Sequence, residues 1–302
     1  MSATSPGGTS IHAQDQAKAL WVAPVYLAGE EHDGGTRVVL PLLLDRSWTV
    51  ASIRDDNVIV DSPCRRVRIG YMPTMPGYEA RWVINASVDP LEPRHWQAAF
   101  DHGTPGEIVA AFTETVARDL ESGNDRSLIS DRNPDTALAV LRTAAWSQSR
   151  DPHGTGTELV PEELRYHDQL FTSPDGMASV RRRVRPARSW AEEIASGPEM
   201  WEFTAGVPGA TWRGTVTSAA PSHLVAAVTR TLTSSMAVYR NEEELVPLLR
   251  PHLVVGPNPA SAPSLRAGVA QAAGRRLAMT PQLTVPAPSP VLTSPAGQRA
   301  RR

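Results

Sequence analysis

The stretch TPGEIVAAFTETV at residues 104–116 returns later in the chain as APSHLVAAVTRTL at residues 220–232. Over the wider window, 95–120 against 211–236, seven of 26 positions are identical: Trp96, Pro105, Val109, Ala110, Ala111, Thr113 and Thr115 recur as Trp212, Pro221, Val225, Ala226, Ala227, Thr229 and Thr231. Ile108, Val109, Phe112, Val116 and Leu120 fall on one helical face. Their counterparts Leu224, Val225, Val228, Leu232 and Met236 are apolar at every position. Each stretch therefore predicts a helix with one buried side. Pro105 and Pro221 suit a first helical position, which needs no N–H. Thr104 and Glu107 have capping-box spacing, and Ala220 and His223 do not.

The regions before these helices also match. Trp82, Ile84, Ala86 and Val88 alternate with other residues as a half-buried strand does, and Trp201, Phe203, Ala205 and Val207 repeat the register. Trp96, Ala98 and Phe100 correspond to Trp212, Gly214 and Val216. Ser62-Pro63 and Ser173-Pro174 each precede another alternating run: Val67, Ile69, Tyr71 in one place, Ala178 and Val180 in the other. Leu42 to Leu44 precede Trp48 as Ala139 to Leu141 precede Trp146. Six of the eight tryptophans thus pair off as 48/146, 82/201 and 96/212. Lying on the apolar side of their strands, they read as core, not as a ligand platform.

The fold expected is α+β: two tandem copies of a small antiparallel sheet with a C-terminal helix packed on one face, at roughly 36–121 and 134–240. The boundaries expected are a disordered N-terminus at 1–16, a first module at 17–121 with a lead-in strand over Trp21–Leu27, and a polar linker at 122–133. A second module at 134–250 follows, ending in a helix over Glu242–Leu249, then a Pro/Ala/Arg-rich disordered tail at 251–302. Within the tail, Leu265, Val269, Ala273 and Leu277 recur at helical spacing beside Arg266, Arg275 and Arg276, as in a basic helix that folds on a partner.

Charge is unevenly spread. Six of the 30 basic residues and none of the 32 acidic ones lie beyond residue 255, leaving a net charge of −8 before it. An acidic body disfavours broad contact with nucleic acid, whose affinity comes largely from phosphate neutralisation. The insertion at 176–200 is an exception. It holds Arg181, Arg182, Arg183, Arg185 and Arg188, then Trp190, and these are the candidate binding residues, as on a phosphate-binding edge. The alternative is a solvated hairpin whose arginines pair with nearby acids.

Signatures of chemistry are sparse. There is no phosphate loop, dinucleotide-type glycine pattern or Gly-x-Ser-x-Gly elbow. The eight histidines lack metal-ligand spacing, so neither metal nor cofactor is expected. Ser173, Asp175 and His167 form the best polar cluster for hydrolysis, but Ser-Pro-Asp-Gly at 173–176 is foremost a turn sequence. Cys64, the single cysteine, allows no internal disulfide and reads as a small core residue. No apolar run reaches the ~20 residues of a membrane span, and no secretory pattern is visible, so a soluble cytoplasmic protein is expected.

The Ser-Pro-Asp-Gly turn, Trp146 before it, the Trp-x-Ala/Gly-x-Phe/Val strand, the helix opening at 104–113 and Pro24-Val25-Tyr26-Leu27-Ala28-Gly29 together resemble the SPDY domain. That resemblance covers about residues 20–240. It implies a domain frequent in Streptomyces and related actinobacteria, often in tandem and without an assigned activity. Cys64 departs from the aspartate of the naming motif, and Gly176 stands where its tyrosine would be. The function expected is a non-enzymatic binding or scaffold protein with a protein partner. Nucleic-acid association through 176–200 and the tail is an alternative, and a hydrolytic enzyme with a dispersed site is another.

Overall fold

The structure, a computed structural model, describes residues 19–30, 34–74, 79–123, 125–129, 133–151, 168–183 and 201–256. Its first half opens with helix α1 (Gly34–Asp45) and runs through β2 (Thr49–Arg54), β3 (Asn57–Asp61), β4 (Val67–Tyr71), β5 (Ala80–Ala86) and β6 (Trp96–Asp101) into helix α2 (Gly106–Glu121). The second half repeats the order: α3 (Asp135–Thr143), β7 (Ser147–Asp151), β8 (Asp168–Thr172), β9 (Ala178–Arg182), β10 (Trp201–Val207), β11 (Ala210–Val216) and α4 (Ser222–Leu232). The class is α+β. Instead of two separate small sheets, however, the strands form one ten-stranded antiparallel sheet in the order β2-β3-β4-β5-β6-β11-β10-β9-β8-β7.

The fusion arises because each half ends its sheet on an open strand edge, and the two edges satisfy one another. Ala98, Ala99 and Phe100 lie opposite Val216, Thr215 and Gly214. With Trp96 matching Trp212, Ala99 corresponds to Thr215, so that residue faces its own counterpart across a local two-fold axis. This is the geometry of an isologous dimer interface within one chain. Past the ladder, the Thr217 N–H donates to Gln97 O and the Gln97 N–H to Thr217 Oγ1, both at 3.0 Å. At the reciprocal place the Arg213 N–H donates to the Asp101 carboxylate. Gly214 is needed here, since a Cβ on it would stand 2.6 Å from Phe100 Cδ1.

The helices form a row on one side of the sheet, α1 against α2, α2 against α4, and α4 against α3. A single core joins their apolar faces to the inward sheet positions. All six paired tryptophans are buried in it. Trp48 and Trp146 follow residues of positive φ, Ser47 and Ala145, and their N–H groups return to Leu42 O and Leu141 O at 3.1 Å. The two halves thus break their opening helices in the same way.

Several local expectations change. α4 stops at Leu232, leaving Met236 exposed; Thr233, Ser234 and Ser235 compete with the helix for backbone bonds. Over Glu242–Leu249 only a 3-10 turn forms, Glu242–Glu244. Pro247 accounts for that, because its ring excludes an α-helix through the preceding turn. The Thr104–Glu107 capping box is absent: Thr104 Oγ1 donates to Asp101 (3.3 Å) and Glu107 is held by Arg240.

The lead-in strand, β1 (Ala19–Ala23), does not pair with the first half. It sits between β12 (Val238–Asn241) and β13 (Val254–Gly256) in a separate three-stranded sheet. Leu20 and Val22 face a small core with Ala28 and Leu245. β13 uses residues expected to begin the tail; Val254 and Val255 favour a strand, and Pro257 has no N–H to continue it. The linker region is docked, with Leu128 buried and Ser127 O accepting the Trp96 indole N–H at 2.9 Å. Residues 1–16, and the tail's basic stretch, lie outside the described residues.

Candidate binding surface

The Ser-Pro turns carry the polar groups that the sequence brings together. In the second half, Ser173 Oγ accepts the Ala178 N–H (2.9 Å) and donates to Asp175 Oδ1 (2.6 Å), which also accepts the Met177 N–H (3.0 Å). The Gly176 N–H closes the turn on Ser173 O at 2.9 Å, with Gly176 at φ +72°. The first half is built alike. Ser62 Oγ accepts the Val67 N–H (3.0 Å), and the Arg65 N–H donates to Ser62 O (2.8 Å) with Arg65 at φ 57°. Ser173 is therefore a turn-builder whose hydroxyl is already engaged on both sides. His167, the third member of the proposed hydrolytic cluster, lies outside the described residues.

Cys64 occupies the Asp175 position of the first turn, half-buried and 3.3 Å from Ser62 Oγ, not within the strand core. Partial burial raises its thiol, but bonds from Ser62 and then Arg66 outweigh that and leave it below the ordinary value.

Other polar groups stitch distant segments together. The Tyr26 hydroxyl donates to Asp175 Oδ2 at 2.9 Å, and the Trp212 indole N–H donates to Tyr26 O at 2.9 Å. Burial first, then the Asp175 charge, pushes the Tyr26 phenol well above its usual range. The Arg240 guanidinium is fully buried. It grips both oxygens of Glu107 (2.8 and 2.7 Å) and donates to Gly29 O (3.1 Å). His223 on α4 meets Asp119 on α2 at 2.6 Å, and Asp119 also receives the Ser127 hydroxyl. A buried ion is stable only when paired and hydrogen-bonded in this way. These clusters tie distant segments together, although Arg240 Nε and His223 Nδ1 are buried without a hydrogen-bond partner among the described residues.

The other side of the sheet is different. Asn85, Gln97, Ala99, Asp101, Ser179, Arg181, Glu202, Thr204 and Arg213 alternate with the inward set; Val83 and Thr215, which flank Ala99 on this same side, are themselves buried, and among the described residues no helix packs over them. The candidate arginines divide here. Arg181 and Arg183 approach Glu202 Oε2 at 3.6 and 3.8 Å, while Arg213 donates to Glu202 Oε1 at 2.8 Å. Arg182, one residue out of phase, points to the helix side. It lies 5.9 Å over the Trp201 ring and donates to Gln169 at 3.1 Å. Arg185, Arg188 and Trp190 lie outside the described residues. Asp101, beside the join, is pushed up to about 6 by burial, against the opposing bonds from the Arg213 N–H and the Thr104 hydroxyl.

One inward position also separates the halves. Tyr71 stands where Arg182 does and packs on Trp82 at 4.5 Å between centroids. With Val58 in the place of Gln169, it lines a cleft of about 200 Å³ against Thr36, Val39 and Leu40. Sequence reading missed Arg240 and Tyr26. Tyr26 had a signal, the Pro24–Gly29 motif, whereas nothing near Arg240 distinguishes it from a surface arginine.

A duplicated α+β unit, fused through its last strands and roofed on one side by α1 to α4, defines the class of protein. Residues 61–120 and 172–238 match SPDY, a domain of unknown function (DUF317). The chain thus carries two SPDY matches in tandem, one in each half. Comparison with curated proteins and with solved structures gives no match.

Proposed function

We propose that the protein is a non-enzymatic binding protein whose protein partner docks on the open face of the ten-stranded sheet, around the β6–β11 join. The observation that carries this reading is the division of polar groups. Clusters on the helix side hold distant segments together, whereas the open face, around the row Val83, Ala99 and Thr215, presents polar side chains of both charge signs. Mixed charge suits steering toward a complementary protein surface. Photo-crosslinking amino acids at Ala99 and Thr204 test it, with the exposed Arg118 on α2 as control. In lysate of the producing cell, the sheet positions capture one common protein and the control does not. Capture from Arg118 alone, or none from the sheet, overturns the reading.

A second reading has one observation in its favour. The guanidinium groups of Arg181, Arg183 and Arg213 gather around Glu202, and Arg185 and Arg188 follow in sequence. Arginines clustered at one edge of a sheet suit nucleic-acid phosphates. It requires retardation of DNA or RNA in a gel, weakening steeply with salt; a chain that retards neither at low salt does not bind them.

Among the described residues no helix is long and apolar enough to cross a membrane.

A further inference from the structure

The three-stranded sheet has one face on the small core and one turned away from it. Leu20 and Val22 point inward, so Trp21 between them points outward. Trp21 faces Tyr239 across the β1–β12 ladder, with ring centroids 6.0 Å apart at 81°. Tyr239 is 42% exposed, and neither ring belongs to a buried core. An aromatic pair that is neither core nor solvated polar surface is what a proline-bearing segment packs on, because such segments hold their extended shape without loss of much freedom.

The chain itself supplies such a segment at this corner. Gly256 pairs with Trp21 on the side opposite Tyr239, so residues 257–302 begin beside the aromatic pair. They contain Val285-Pro286-Ala287-Pro288-Ser289-Pro290, then Arg299, Arg301 and Arg302, with no acid anywhere. Asn241 pairs with Ala19 at the same end of the sheet, which puts Glu242, Glu243 and Glu244 at the corner too. Glu243 is exposed and has no partner among the described residues. Aromatic rings and acids on the fold thus meet prolines and arginines on the tail.

We propose that residues 285–302 dock in cis on the Trp21–Tyr239 face, the prolines against the rings and the terminal arginines toward Glu243. Tethering gives the segment an effective concentration on the order of millimolar, so a weak site suffices. This surface is separate from the sheet face argued above, and either can fail alone.

The test uses the full chain with Cys64→Ser and a nitroxide on Ser289→Cys. The indole N–H signal of Trp21, assigned with Trp21→Phe, is expected to lose at least half its intensity relative to the reduced label. Pro286, Pro288 and Pro290 all changed to Ser restore it, and Glu243→Lys restores it in part. Unchanged positions of the remaining indole signals report that the fold is intact. Full intensity in the labelled chain overturns the proposal. Loss that appears only when isotope-labelled chain is mixed with a separate spin-labelled chain assigns the site to a second copy's tail, and also overturns docking in cis.

Discussion

Tyr26 donates its hydroxyl hydrogen to Asp175 across 2.9 Å, tying a residue near the start of the chain to the Ser-Pro turn of the second half. Its ring stands edge-on to Trp146 at 6.2 Å, and its carbonyl accepts the Trp212 indole. Tyr26→Phe keeps the ring contacts and removes only the hydroxyl. Asp175 retains Ser173 and the Met177 N–H, so the expected loss is about 1–2 kcal/mol. Urea denaturation reads it as a lower midpoint with an unchanged slope.

Arg240 and Glu107 give the larger effect. Arg240→Ala leaves Glu107 nearly buried, with Arg37 at 3.7 Å as its remaining cation. Breaking a buried pair by removing one partner costs about 3–5 kcal/mol. Arg240→Met combined with Glu107→Leu should recover much of that loss, because no charge is then stranded. Hydrogen exchange at Leu20 and Trp21 checks where the damage falls: their protection drops in Arg240→Ala and returns in the double variant.

Asp101 makes stability depend on pH. Folded Asp101 keeps its proton up to about pH 6, above the ordinary 3.8. Its contribution is fully present below the ordinary value and is lost as pH rises through about 6. Asp101→Asn, permanently neutral like the matching Thr217, should therefore be more stable than the parent at pH 8 and equal to it near pH 3.5. The gap at pH 8 is about 1 kcal/mol, since the side chain is partly exposed and screened. Thermal melts of both chains across that range decide it.

Arg65 sits at φ 57°, where the second half has Gly176 at φ +72°. A side chain in the left-handed region costs about 1 kcal/mol, partly offset by the freedom glycine gains when unfolded. Arg65→Gly should raise stability by about 0.5 kcal/mol, and Gly176→Ala should lower it. Melting temperatures moving in the same direction for both would refute the strain.

Much of this architecture was legible because side-chain period reports burial. Trp82, Ile84 and Ala86, or Trp201, Phe203 and Ala205, can occupy only one face. The helix positions Val109 and Val225 followed from spacing, and both are buried. What the sequence hid was every contact made by an edge. Backbone N–H and C=O groups carry no residue code, so nothing in Gln97–Phe100 announced that the strand would pair with Gly214–Val216. The same blindness hid the pairing of β1 with β12 and β13. The arginine run 181–183 was visible as charge, but strand alternation sent Arg182 to the face opposite Arg181 and Arg183.

The pairing of Ala99 with Thr215 bears on ancestry. A join in which a residue meets its own counterpart requires a single surface, so two identical separate chains could have made it before one gene encoded both. Within one chain the halves need not be identical: Cys64 stands opposite Asp175 in the two turns, and Tyr71 opposite Arg182 over the two tryptophans. The covalent link keeps each half beside its mate, so such differences do not cost the pairing.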